Sequence, residues 1–145
     1  MAERTVRAAV ERAASAAPGL PLVAGGKSFG GRMTSRAQVR EPLPEVEGLV
    51  FLGFPLHAPG KPSERRAAHL AEVAIPMLFL QGTRDSLADL GLMKRVVHRL
   101  GQRATLSVVD GGDHSFKMSK KLGGQDRDIL QELTQTIVDW ATGVV

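Results

Sequence analysis

The sequence contains no cysteine and no tyrosine, one tryptophan, and four histidines among 145 residues. Without cysteine there is no disulfide, no thiolate metal ligand and no cysteine nucleophile, which fits a reducing cytoplasm or no redox demand at all. The scarcity of aromatic rings removes the stacking platforms on which bases are read. The formal net charge of +4 comes from scattered Lys and Arg, so it reads as a solvated basic surface, and no nucleic-acid partner is expected. No run of about 18 apolar residues is present to span a membrane. Met1-Ala2-Glu3-Arg4 does not start a signal peptide, and a cytoplasmic protein with no membrane partner is expected. Internal repeats, low-complexity tracts and inter-domain linkers are lacking too. With 43% hydrophobic and 23% charged residues, the composition is that of a single globular domain over residues 1–145.

What is present centres on Gly25-Gly26-Lys27-Ser28-Phe29-Gly30-Gly31, a Gly-x-Ser-x-Gly stretch. It follows the apolar Pro21-Leu22-Val23-Ala24 and precedes a segment, Met33 to Val39, that can form a helix. That context suits a serine aimed out of a tight strand-to-helix turn, with Gly26 and Gly30 admitting neighbouring segments where a Cβ would clash. The backbone N–H of Phe29, next to the serine, is expected to face a developing oxyanion at the positive end of the helix. Capping of that helix is the alternative role for Ser28.

Elsewhere, Val6, Ala9, Val10, Ala13 and Ala17 recur at helical spacing until Pro18-Gly19 ends the pattern. Gly48 to Phe54 is a nearly continuous apolar run, as is Pro76 to Gly82, and both suit strands covered on two faces. Ser63 to Val73 carries Ala67, Leu70 and Val73 on one helical face. Leu87, Leu90, Met93, Val97 and Leu100 mark a helix closed by Gly101, Ala104 to Val109 is a last strand, and a helix over about 126–142 turns Ile129, Leu133, Ile137 and Trp140 inward. Strands alternating with helices imply an α/β fold: a parallel sheet of about four strands with helices on both faces. Binding groups in such sheets gather at the carboxyl ends of strands, and here those ends carry Ser28, His57, Asp85 and His114.

The order Ser28, Gln81-Gly82-Thr83-Arg84-Asp85 and Gly112-Asp113-His114-Ser115-Phe116, each after a strand, resembles the α/β-hydrolase superfamily, and more narrowly its small bacterial dienelactone-hydrolase-like branch that uses serine. The resemblance implies a serine hydrolase acting on a small-molecule carboxylic ester, with Ser28 as nucleophile, Asp85 as orienting acid and His114 as general base, and with no cofactor and no metal. The residues agree with these roles, because an unaided hydroxyl is a poor nucleophile and an imidazole needs a carboxylate to fix its tautomer. Asp85 could instead cap a helix starting at Ser86, and Asp110 and Asp113 compete for the acid role, although close sequence neighbours of a histidine seldom reach its far nitrogen. His57, ending a strand, is a candidate substrate contact or a loop-packing residue. His69 and His98 fall within helices and read as surface or half-buried residues, and Lys27 and Arg84 would place positive charge near Ser28.

Nothing in residues 1–20 resembles the earlier strands of a full family member or the His-Gly type loop that supplies a second oxyanion donor. The expectation is therefore a partial α/β-hydrolase fold. No strand precedes Leu22-Val23-Ala24 to cover its edge, which predicts a homo-oligomer paired through that edge. A non-catalytic interaction module, completed only by association, is the alternative to an esterase.

Overall fold

The computed structural model describes residues 1–118 and 128–144. In chain order the elements are α1 (Ala2–Ala16), β1 (Leu22–Lys27), α2 (Phe29–Arg40), β2 (Val46–Leu52), a 3₁₀ helix (Arg65–Glu72), β3 (Met77–Gly82), α3 (Leu90–Leu100), a short 3₁₀ turn (Gly101–Arg103), β4 (Ala104–Val109) and α4 (Ile129–Thr142). The four strands form one parallel sheet in the order β1-β2-β3-β4. The α/β class and strand count are as the alternation predicts. The expected start of the last helix near residue 126 lies outside the described residues.

Alternation along the strands sorts the core into two layers. Leu49, Phe51, Met77 and Phe79, almost wholly buried, face the layer built by α1, α2, the 3₁₀ helix and α3. Phe51, Phe54 and Phe79 pack there with ring centroids 4.7 to 5.9 Å apart. On the opposite face Val50, Leu78 and Leu80 meet Leu133 of α4, with Ile129, Ile137 and Trp140 against the same cluster. Among the described residues α4 is the one helix on that face, and no strand pairs with the outer edge of β1.

Three local expectations are corrected. The segment with Ala67, Leu70 and Val73 is a 3₁₀ rather than an α-helix; a strict three-residue spacing matches its three-residue turn, on which positions i and i+3 eclipse. α3 starts later than Leu87, at Leu90, because Asp89 accepts the Leu92 N–H at 2.8 Å and caps it. Asp85 therefore caps no helix here. Finally, Gly30 faces open space, and the close approach belongs to Gly26 and Gly31: a Cβ on Gly31 would stand 2.5 Å from the Gly26 carbonyl oxygen.

Candidate functional site

The turn after β1 forces Ser28 into φ 52°, ψ −122°, a positive φ that few non-glycine residues adopt. The contortion is held because Ser28 N–H donates to the Leu52 carbonyl on β2 at 3.0 Å and α2 begins at once with Phe29. As the first residue of α2, Phe29 has a backbone N–H without an intrahelical acceptor, and the residue is 60% exposed.

Asp85 follows β3 and its side chain is fully buried. Its Oδ1 accepts from Leu87 N–H at 2.8 Å, while Oδ2 accepts from Gln81 Nε2 and from His114 Nδ1, the latter at 2.8 Å. An ionised carboxylate only accepts, so Nδ1 of His114 carries the proton and Nε2 is left bare. That Nε2 lies 2.8 Å from Ser28 Oγ, from which it accepts. Ser28, His114 and Asp85, brought from the ends of β1, β4 and β3, thus form one unbroken line of hydrogen bonds. The competing carboxylates are occupied elsewhere: Asp110 accepts from Thr83 Oγ1, and Asp113 Oδ1 accepts from the Ser115 and Lys117 N–H groups at 2.8 and 2.9 Å. The bond from Lys117, then that from Ser115, holds the Asp113 carboxyl below its ordinary range.

The loop that carries His114 is fastened from β3. Thr83 Oγ1 accepts from Gly111 N–H at 2.8 Å, Arg84 N–H donates to the Gly112 carbonyl at 2.9 Å and the Arg84 guanidinium reaches the Gly111 carbonyl. Gly82 makes this approach possible, since a Cβ there would lie 2.2 Å from the Gly112 carbonyl oxygen. From β1, Lys27 Nζ donates to Ser115 Oγ at 3.0 Å. Lys27 and Arg84 therefore tie the histidine loop to the strands.

His57 is not joined to this line. It is buried, its Nδ1 donates to the Ala58 carbonyl and its Nε2 accepts from Asp89 N–H, both at 2.8 Å, while its own N–H donates to the Leu87 carbonyl. Both ring nitrogens are spent on backbone, so His57 braces the loop from Asp85 to Asp89 and has no free nitrogen to offer a substrate. His69 is half-buried against Ser35 Oγ at 2.8 Å, and burial, then the nearby Arg32 and Arg36, depress its pKa from 6.5 to about 4. Gln81 is the member sequence reasoning missed. It is a fully buried amide in an otherwise apolar strand, four residues before the acid, and that misfit is the signal that could have found it. Among the described residues no group of three or more His, Asp or Glu side chains could hold a metal, and no helix is long and apolar enough to cross a membrane.

The family described as "Alpha/beta hydrolase domain" matches residues 2–142. Among solved structures, the fold is similar to a monoacylglycerol lipase from Paleococcus ferrophilus (TM-score 0.71, 16% identity, 99% of this chain and 75% of that one). It is also similar to a predicted CIB-like hydrolase from Thermoplasma acidophilum (TM-score 0.63, 18% identity, 96% and 59%) and to an alpha-beta serine hydrolase homologue from Coxiella burnetii (TM-score 0.59, 19% identity, 74% and 48%). The chain thus spans 59% and 48% of the length of the last two relatives, respectively.

Proposed function

Because the chain belongs to the alpha/beta hydrolase family, we propose that it is a serine hydrolase of carboxylic esters that works through an acyl-enzyme. The observation that carries this reading is the line of 2.8 Å contacts from Ser28 Oγ through His114 to Asp85. As Ser28 Oγ attacks the ester carbonyl carbon, its proton passes to His114 Nε2 and the carbonyl oxygen becomes an oxyanion facing the Phe29 N–H. Buried Asp85 stabilises the imidazolium through Nδ1–H. Collapse of the tetrahedral species breaks the bond to the alkoxy oxygen, which leaves as alcohol with the proton from Nε2. Water then gives a proton to Nε2 and its oxygen to the acyl carbon; Ser28 departs, regains the proton, and the carboxylic acid is released. The His114 side chain is 20% exposed, so water can reach the histidine without the carboxylate losing its dry surroundings.

A fluorophosphonate probe and p-nitrophenyl butyrate test this directly. The expected result is covalent labelling of Ser28 alone and turnover, both abolished by Ser28→Ala. A folded wild-type protein that neither reacts with the probe nor turns over the ester would favour the non-catalytic module.

A further inference from the structure

Gln81 is fully buried on β3, where alternation sets it on the same face as Met77 and Phe79, the face that packs against the helical layer of the core. Its side-chain Nε2 donates to Asp85 Oδ2. That contact fixes which end of the amide faces the acid, because an ionised carboxylate offers only acceptors and must meet the nitrogen. The amide oxygen, Oε1, is left shut off from solvent, and among the described residues it has no hydrogen-bond partner. A leucine or methionine would fill the position without orphaning an acceptor, so core packing does not call for an amide here. What the amide supplies is a second side-chain donor at the oxygen that His114 uses. Oδ2 accepts from Gln81 Nε2 and from His114 Nδ1, the latter at 2.8 Å, while Leu87 N–H holds Oδ1 at 2.8 Å. The torsion that turns a carboxylate about its bond to Cβ is a soft one. Without Gln81, that torsion would be held apart from His114 by one oxygen only, and Oδ2 could swing out of line with Nδ1.

We infer that Gln81 is a positioning residue for the line from Ser28 to Asp85: its Nε2 pins Oδ2 in register with His114 Nδ1, and so holds His114 Nε2 on Ser28 Oγ. This rests on the ester-hydrolase reading above, in which that line carries the proton. An acceptor left orphaned in the core beside the acid fits a group kept for its donor, with stability given up for activity. Because Gln81 touches neither the serine nor the substrate position, its loss should slow the proton transfers and leave substrate binding alone.

The test uses two variants and p-nitrophenyl butyrate, with kcat referred to folded protein by circular dichroism. Gln81→Met keeps the volume and removes both the donor and the orphaned acceptor. Its kcat should fall about ten-fold or more, the usual worth of a hydrogen bond to a charged group, with KM little changed and the urea midpoint close to that of wild type. Gln81→Glu is the conservative rescue. Its carboxyl, buried beside the Asp85 carboxylate, is held neutral, and its O–H then donates to Oδ2 as the amide does. At neutral pH it should keep more activity than Gln81→Met, and it should lose that advantage as the pH rises and the two carboxylates come to repel. A side chain that only fills space would show neither the excess nor its pH dependence. Turnover by Gln81→Met within a few-fold of wild type, or a Gln81→Glu profile that matches Gln81→Met at every pH, overturns the inference and leaves ester hydrolysis standing. If wild type turns over no ester, the ester-hydrolase reading is at fault and proton NMR decides the positioning separately. The His114 Nδ1–H resonance should lie far downfield in wild type and in Ser28→Ala, and should move upfield or be lost to exchange in Gln81→Met. A resonance absent from wild type, or unchanged in Gln81→Met, overturns the inference.

Discussion

Asp85 is the residue on which the proposed chemistry leans hardest, since three donors converge on one buried carboxylate. Asp85→Asn should leave the fold intact and lower ester turnover by several powers of ten, about 10⁴ for the corresponding change in a serine protease, because the amide no longer enforces the Nδ1–H tautomer. Circular dichroism and kcat on one preparation check it; activity within a few-fold of wild type would point to another acid. His69 gives a second expectation, about stability. Its pKa falls from 6.5 to about 4 on folding, so between those values the unfolded chain binds more protons and stability must drop as pH falls from about 6.5 to 4. Solvent screening at this half-buried site keeps the difference below the roughly 3 kcal/mol that the full shift would give. Urea midpoints across that window should slope for wild type and flatten for His69→Gln, and equal slopes would reject the assignment. The three residues in line were legible as strand-end motifs, because each chemical role demands its own residue type. Gln81 left a trace, a lone amide in an apolar strand, but its bond to Asp85 and the backbone engagement of His57 were not legible. Each depends on which neighbour the fold sets beside it, and no spacing along the chain encodes that.

At the scale of elements, strands were the most readable, because apolar runs buried on both faces, such as β2 and β3, admit little else; β4, partly exposed at the sheet edge, still begins and ends where its pattern predicted. Helix beginnings were less readable. Asp85 and Asp89 both offer an N-cap, and only the Leu92 N–H at 2.8 Å from Asp89 decides between them. Asp89→Ala should cost about 1 kcal/mol, the usual loss for a cap, seen as a shift in the denaturant midpoint. The elbow makes a sharper demand. A methyl on Gly31 meets the Gly26 carbonyl oxygen at 2.5 Å and Phe51 at 3.1 Å, so Gly31→Ala should push α2 off β1 and lower probe labelling of Ser28 as well as stability. Gly30→Ala, pointing into open space, should leave both near wild type. Equal behaviour of the two variants would contradict the packing described.

For the molecule as a whole, the sheet order β1-β2-β3-β4 is also the order of synthesis. Each strand finds its partner in the one made just before it, so the sheet can grow outward in one direction, with every pairing bridged by a single crossover. The exception is the site. Ser28 and His114 are 86 residues apart in sequence, and their contact spans the first strand and the loop after the last. Closing so long a segment is entropically more demanding than any strand pairing in the sheet. Reactivity of Ser28 is thus a clock for the end of assembly: in a stopped-flow refolding experiment, fluorophosphonate labelling should lag the return of helical ellipticity, and a protein still emerging from the ribosome should carry a formed elbow with no histidine yet made to activate it.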